Sequence, residues 1–138
     1  MAIFETKFPV RYYETDLMGV VHHSNYIRYF ENARDEMLVQ LGFPIEKCER
    51  ELGIYVIIAS FECRLKHPAR MGDVLTARAE VNAVPLAKMT IGQKVLNQNG
   101  DLCAEGSVTL GFIDKETFRP VRCPQVLCDL FEKCLNNN

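Results

Sequence analysis

Two kinds of apolar periodicity divide the chain. From about residue 25 to residue 41, apolar residues recur every three or four positions, which is the spacing of one helix face. These residues are Ile27, Phe30, Ala33, Met37, Leu38 and Leu41. Ser24 or Asn25 is expected to cap the start, and Gly42 and Pro44 mark the end. The spacing predicts one long helix of about 25 Å.

The rest of the chain is largely strand-like, with apolar and polar residues alternating over several segments. Strands are predicted over 4–13, 54–66, 74–83, 87–97 and 102–113. The N-Q-N-G stretch at 97–100 predicts a hairpin turn, and the D-K-E-T stretch at 114–117 predicts another turn. Two further helices are predicted, a short one over 44–52 and an amphipathic one after Pro124.

Two of these strands carry signs of where they lie in a sheet. Pro9 has no backbone N–H to donate, so the first strand is expected at an edge or at a bulge. Ile54, Val56 and Ile58 make the first half of 54–66 apolar on both faces. That end of the strand is therefore expected to be buried on both sides, with one face available to a partner.

The order of elements indicates the fold class. A single long helix with one apolar stripe has to be covered by a sheet. We therefore expect an α+β fold in which a curved antiparallel β-sheet wraps around one central helix. The 138 residues suit one domain over 1–138, and the chain contains no internal repeat or linker.

Charge and composition exclude several classes of function. The net charge of −2 gives no basic surplus for binding nucleic acid through its phosphates. The densest apolar run, at 54–59, is too short to span a membrane, and residues 1–20 do not resemble a secretory signal, so a cytoplasmic protein is expected. The six cysteines form no C-x-x-C pair and have no histidine at zinc-finger spacing. We expect packed thiols and no metal site.

Candidate chemistry is concentrated in residues 11–26, which read R-Y-Y-E-T-D-L-M-G-V-V-H-H-S-N-Y. Asp16 lies between the first strand and the long helix, whose start offers unpaired N–H groups and a partial positive charge. Such donors can stabilise an oxyanion, and a carboxylate beside them can attack an acyl group or activate water. Helix capping and a tight turn explain the same residue types, and adjacent His22 and His23 are more often surface or packing residues.

The spacing D-x-x-G-x-V-x-[HY]-x-x-Y is present at Asp16, Gly19, Val21, His23 and Tyr26. With this motif, the sequence resembles the 4-hydroxybenzoyl-CoA thioesterase family of hotdog-fold proteins. It looks most like the bacterial acyl-CoA thioesterase branch that is associated with the Tol–Pal system. A second family-like stretch is H-P-A-R-M-G-D at 67–73, and the resemblance extends over about 5–135.

The resemblance implies a thioester hydrolase in which Asp16 is the catalytic nucleophile or general base. It also implies that the backbone N–H of His23 points at the thioester carbonyl, and that the His23 ring helps to orient substrate or water. The residues implied to contact substrate at this motif are Gly19, Val21, Asn25 and Tyr26. Hydrolysis of a thioester by this route needs no cofactor.

Recognition of the carrier and the assembly state also follow from the resemblance. Where some relatives have an arginine-rich segment, this chain reads V-P-L-A-K at 84–88, which leaves Lys88 as the candidate for the CoA phosphates, beside Arg64, Lys66 and Arg70. Acyl carrier protein therefore stays open as an alternative carrier to CoA. The family forms dimers or tetramers, so a homo-oligomer is expected.

Two other functions stay open at this point. A hotdog hydratase or dehydratase acting on enoyl or hydroxyacyl thioesters would use a histidine and an acid, which His22 or His23 with Asp16 or Glu14 can imitate. Hydration of crotonyl-CoA would distinguish it from hydrolysis. A non-catalytic acyl-thioester-binding protein would bind acyl-CoA without turnover.

Overall fold

The structure, a computed structural model, describes residues 1–137. Asn138, which the predicted domain includes, lies outside the described residues. The strands are β1 (Ala2–Pro9), β2 (Ile54–Leu65), β3 (Val74–Val81), β4 (Lys88–Leu96), β5 (Leu102–Asp114) and β6 (Pro120–Val121). The helices are α1 (Ser24–Gln40), α2 (Ile45–Lys47, continued by a π-helical turn over Cys48–Leu52) and α3 (Gln125–Asn136), and a 3-10 turn spans Tyr12–Glu14.

All strands pair antiparallel, in the spatial order β1-β3-β4-β5-β2, with the short β6 added to β5. Helix α1 packs on one face of this sheet, against β1, β3 and β4. Ala77 and Ala79 of β3 are fully buried on that face. Small side chains at these positions let the helix approach the sheet closely. The observed long helix and the sheet around it match the predicted architecture.

Most of the helix stripe is buried as predicted, but Ile27 is only partly buried, and several residues outside the stripe are buried too. Phe30, Ala33 and Met37 are almost inaccessible. Arg34, which the apolar period does not include, is also buried, with 8% of its surface exposed. Its Nη1 donates to Oε1 of Gln93 at 2.7 Å, and Nε2 of Gln93 donates to the Phe30 carbonyl at 2.8 Å. A polar pair therefore lies inside the otherwise apolar layer between α1 and β4.

The first strand is shorter than predicted. It ends at Pro9, whereas the sequence predicted a strand over 4–13. The Glu14 carboxylate accepts a hydrogen bond from the Arg11 N–H at 2.7 Å, which bends the chain into the 3-10 turn. The edge position that Pro9 indicated is confirmed, because β1 is the first strand in the sheet.

Within one chain β2 is not buried on both faces, and the part of the prediction that involves a partner stays a prediction. β2 is the other edge strand, and Ile57 and Ile58 are both exposed. A bulge between Ile58 and Ser60 reverses the alternation at Ala59. Ile58 and Phe61 therefore point to the helix side together, whereas a regular strand would place them on opposite faces.

The remaining predicted elements are present with small changes. Gly42 ends α1 at a φ of 84°, and Gly100 closes the predicted hairpin at a φ of 82°. The turn after β5 leads into β6, which the sequence did not predict. In the amphipathic helix α3, Leu127 is buried and Val126 is exposed. No helix within residues 1–137 has the length and apolar character needed to cross a membrane.

We expect Gly106→Ala to destabilise the fold. A Cβ at Gly106 would overlap the carbonyl oxygen of Glu62 on the neighbouring strand β2, and both groups belong to rigid backbone. Urea unfolding at fixed protein concentration should show a free energy of unfolding that is lower by about 1–3 kcal/mol or more, which is the range for overpacked interiors.

Gly92→Ala is the matched control, because a Cβ there meets Glu80 only at ordinary contact distances of 3.5 Å and longer. Its free energy of unfolding should lie within about 1 kcal/mol of the wild-type value. Equal stabilities of the two variants would contradict the close approach of β2 and β5 at Gly106.

Candidate active site

The motif that contains Asp16 forms a closed loop between the 3-10 turn and α1. The Asp16 N–H donates to the Val20 carbonyl, and the Gly19 N–H donates to the Asp16 carbonyl, both at 3.0 Å. Gly19 has a φ of 74°, and nothing lies within 4 Å of the position that a Cβ would take. The glycine is therefore needed for its left-handed backbone rather than for space. An isolated bridge between Thr15 and Val21 closes the loop.

The Asp16 carboxylate is exposed, and only one of its two oxygens accepts a hydrogen bond. Its Oδ1 accepts a hydrogen bond from the Met18 N–H at 2.8 Å, which stabilises the turn. Its other oxygen accepts no hydrogen bond from residues 1–137. One oxygen therefore shapes the loop, as the capping interpretation expects, and the other is available to a substrate or a water.

The exposed residues that flank Asp16 in the sequence are largely apolar. Tyr12, Tyr13, Leu17 and Met18 all have most of their surface accessible. In a single chain the candidate site is consequently open to solvent, and apolar groups form its rim.

Helix α1 begins at Ser24, and the predicted capping by Ser24 or Asn25 is wrong. His23 occupies the N-cap position with helical backbone angles and makes no capping hydrogen bond with its side chain. The Ser24 N–H donates to Nδ1 of His22 at 3.3 Å, so an imidazole supplies the acceptor that a capping side chain would supply. The His23 N–H donates no hydrogen bond to any of residues 1–137. A free N–H therefore remains at the positive end of the helix.

Asn25 fixes the start of the loop through a hydrogen bond from its buried side chain. It is buried, and its Nδ2 donates to the Glu14 carbonyl at 2.8 Å. The same carbonyl accepts from the His22 N–H at 2.8 Å. Glu14 thus ties the 3-10 turn to the helix start through its backbone, a role that the sequence did not predict, because a carbonyl leaves no signal in a residue type.

The two motif stretches pack directly against each other. The Val21 N–H donates to the Ala69 carbonyl at 2.8 Å, and the Ala69 N–H donates to the Tyr26 hydroxyl at 3.3 Å. Tyr26 is 3% exposed, and burial raises the pKa of its hydroxyl, although the hydrogen bond from Ala69 lowers it in part. Residues 67–73 therefore act as the wall on which the loop and the helix start are fixed.

A cavity of about 210 Å³ lies at this junction, and Val21 and Tyr26 line it together with Leu65 and Pro68. Two of the predicted substrate contacts thus face one cavity beside the loop. Within residues 1–137, no group of three or more His, Cys, Asp or Glu side chains is arranged to hold a metal ion.

Lys88 is not brought to this loop within one chain. It begins β4, whereas the loop adjoins the start of β3, which pairs with the end of β4 near Leu96. At the rise of a strand, Lys88 and Leu96 are about 26 Å apart. Lys66 and Arg64 lie nearer, but each pairs with an acid, Glu105 at 3.7 Å and Glu62 at 3.6 Å.

Comparison with solved structures identifies the fold class. The structure superposes on the DHNA-CoA thioesterase from Staphylococcus aureus with a TM-score of 0.86, at 29% identity over 99% of this chain and 95% of that one. A Thermus thermophilus protein gives a TM-score of 0.87 at 30% identity, over 95% of this chain and 98% of that one. One long helix inside a curved antiparallel sheet is thus the hotdog fold, as predicted.

Family membership follows from the sequence comparisons. Residues 10–131 match the model of the Thioesterase-like superfamily, and the chain belongs to that superfamily. The acyl-CoA thioesterase YbgC of Helicobacter pylori strain 26695 is 30% identical over 136 residues, covering 92% of this chain and 96% of that protein. A relative from Aquifex aeolicus is 43% identical over 81 residues, which make up 59% of this chain and 61% of that protein.

Two buried tyrosines, Tyr26 and Tyr29, differ in whether the hydroxyl accepts a hydrogen bond from the backbone. The Tyr29 hydroxyl is buried and has no hydrogen-bond partner in residues 1–137, and burial together with the nearby Glu14 carboxylate raises its pKa. We expect Tyr26→Phe to lower the free energy of unfolding by about 1–3 kcal/mol, because the buried Ala69 N–H loses its acceptor.

Tyr29→Phe should cost clearly less, because its loss of the hydroxyl leaves no buried backbone N–H without an acceptor, and thermal or urea unfolding of both variants measures the difference. If Tyr26→Phe keeps full stability but loses substrate affinity, the hydroxyl serves the substrate rather than Ala69.

Proposed function

We propose that the protein hydrolyses acyl-CoA thioesters at the loop that contains Asp16. The observation that carries this proposal is the pairing of two uncommitted groups in one loop. One is the free oxygen of the Asp16 carboxylate, and the other is the free N–H of His23 at the helix start. The Thr15–Val21 bridge closes the loop that joins them.

The chemistry follows from these two groups. The thioester carbonyl oxygen would accept the His23 N–H, and the positive end of α1 would stabilise the oxyanion as it forms. Asp16 would then act in one of two ways. It adds to the carbonyl carbon and expels CoA as thiolate, leaving an anhydride that water hydrolyses, or it takes a proton from a water that adds instead. Either route gives a free acid and CoA.

The relatives support a CoA thioester as substrate. Acyl-CoA is named for the YbgC proteins and for the Bacillus subtilis relative YneP, and DHNA-CoA for the Staphylococcus aureus structure. Both aliphatic and aromatic acyl groups therefore belong in an assay, with acyl carrier protein as the alternative carrier. We assign the chain to the Tol–Pal-associated branch on the motif at Asp16–Tyr26.

Self-association would complete this site. Exclusion of bulk water strengthens the electrostatic interactions of an active site, and the rim of Tyr12, Tyr13, Leu17 and Met18 is open in one chain. We propose a homodimer, or a tetramer built from it, in which β2 edges pair antiparallel. In such a pairing the Lys88 end of one copy would approach the loop of the other, and we propose that Lys88 serves the CoA phosphates in trans.

The test is an assay with a panel of acyl-CoAs, which covers increasing chain lengths and aromatic acyl groups. The rate of release of free CoA thiol is the measured quantity. Asp16→Asn keeps an oxygen that can accept the Met18 N–H, so the turn should persist while the negative charge is lost. We expect kcat to fall by about 10²–10⁴-fold in Asp16→Asn and Asp16→Ala, which is the usual range for loss of a catalytic acid or base.

Asp129→Asn is the matched control, because Asp129 is a helical carboxylate on α3 that interacts with Gln125. It should keep the wild-type rate. Full activity in both Asp16 variants would exclude this carboxylate from the chemistry. Acyl-CoA binding without turnover would instead favour a binding protein, and hydration of crotonyl-CoA without hydrolysis would favour a hydratase.

A further inference from the structure

Three of the four N–H groups at the start of α1, which a helix leaves without an intrahelical partner four residues back, have acceptors. The Asn25 N–H donates to the His22 carbonyl at 2.9 Å, and the Tyr26 N–H donates to the His23 carbonyl at 3.3 Å. The Ser24 N–H donates to Nδ1 of His22 at 3.3 Å. The His23 N–H donates to no group in the described part of the chain. Two of the three occupied donors therefore end on His22.

The backbone of His22 fixes the direction of the free donor. The His22 carbonyl and the His23 N–H belong to one planar trans peptide unit, in which they point in opposite directions. The carbonyl points into the first turn of the helix, toward the Asn25 N–H. On its other side, His22 donates its own N–H to the Glu14 carbonyl at 2.8 Å. The His23 N–H therefore points out of the helix start, and hydrogen bonds on both sides of His22 keep it there.

The imidazole of His22 acts as the acceptor of an Asx turn. In such a turn, the side-chain oxygen of an asparagine or aspartate accepts the N–H two residues further on, and here Nδ1 takes the place of that oxygen. Because a backbone N–H can only donate, Nδ1 accepts, and the ring proton is assigned to Nε2. The Ser24 hydroxyl lies 2.8 Å from the same nitrogen, and the ring of His23 lies beside the imidazole, with the two centroids 4.1 Å apart. The exposed ring is thus held on two sides.

Without this acceptor, the helix start would offer two donors to a substrate carbonyl. The Ser24 N–H follows the His23 N–H by one residue, which is about 100° around the helix axis and about 1.5 Å along it. A thioester carbonyl that accepts from Ser24, or from both donors, would be displaced relative to Asp16. A misplacement of about 1 Å can lower the rate of an enzymatic reaction by about 10²-fold.

We propose that His22 is a positioning residue of this active site, whose Nδ1 occupies the Ser24 N–H so that the thioester carbonyl binds at the His23 N–H. The carbonyl carbon is then presented where Asp16 can attack it or activate a water. This inference rests on the proposed hydrolysis. His22 occupies an unspecified position of the motif, between Val21 and His23, and it selects the donor that touches substrate without touching substrate itself.

Two substitutions separate the acceptor from the ring. His22→Asn removes the ring but keeps an acceptor for the Ser24 N–H, since asparagine is a usual residue of an Asx turn. His22→Phe keeps a flat ring beside His23 but has no acceptor. We expect kcat to stay within about threefold of the wild-type value in His22→Asn and to fall by at least about tenfold in His22→Phe. KM should not rise in His22→Phe, because the carbonyl gains a donor there. Release of free CoA from the best substrate of the acyl-CoA panel measures both constants.

Exchange of the Ser24 amide hydrogen tests the hydrogen bond independently of activity. Measured by NMR, it should be at least about threefold faster in His22→Phe than in the wild type and in His22→Asn. The Tyr26 amide is the internal reference, because its acceptor belongs to His23 in all three proteins. Circular dichroism and thermal unfolding verify that each variant is folded.

The outcomes separate this inference from the proposed function. A wild type that hydrolyses no member of the panel overturns the hydrolysis, and the positioning role falls with it. An active wild type with an equal kcat in His22→Phe overturns the positioning role alone, as do equal exchange rates of the Ser24 amide in the three proteins. An active His22→Phe beside an inactive His22→Asn also overturns it, because the ring and not the acceptor would then matter. Slower catalysis and faster exchange confined to His22→Phe support the role of Nδ1.

Discussion

One helix cannot cover a sheet of this width, and much of the molecule follows from that limit. Neighbouring strands lie about 4.8 Å apart and a helix is about 10 Å wide, so α1 reaches only the strands at one side. It covers β1, β3 and β4. The uncovered side keeps an edge strand with exposed apolar residues, and Arg34 is left at the boundary between the two. The loop that carries Asp16 is attached to the start of the same helix.

The periodicity of apolar residues was sufficient to predict the helices and strands, but it could not predict bulges, strand ends or polar contacts between distant residues. The helix, its end at Gly42 and the strands follow from residue spacing. The bulge at Ala59 does not, because a regular alternation and a bulged one can have the same residue types. The early end of β1 depends on the contact between Arg11 and Glu14, and burial of Arg34 depends on Gln93, far away in the sequence.

The candidate site shows the same division. The motif at Asp16, Gly19 and His23 could be found from the sequence by its resemblance to a family, and the left-handed φ explains the glycine. The contacts that fix the motif could not be found in this way, since they run from Ala69 to Val21 and Tyr26. The local capping interpretation also holds in part, because the carboxylate that shapes the turn is the one available for chemistry.

The hydrogen bond between Ala69 and Tyr26 joins residues 43 positions apart. A contact of such long range requires a large loop to be closed, which costs chain entropy before the contact is gained. The whole of β2 lies within that interval, so the wall behind the loop does not exist until the sheet does. A partly folded chain, during synthesis or after damage, therefore presents the motif residues without the frame that aligns them. The hydrolysis proposed for this motif would in this way be confined to folded molecules.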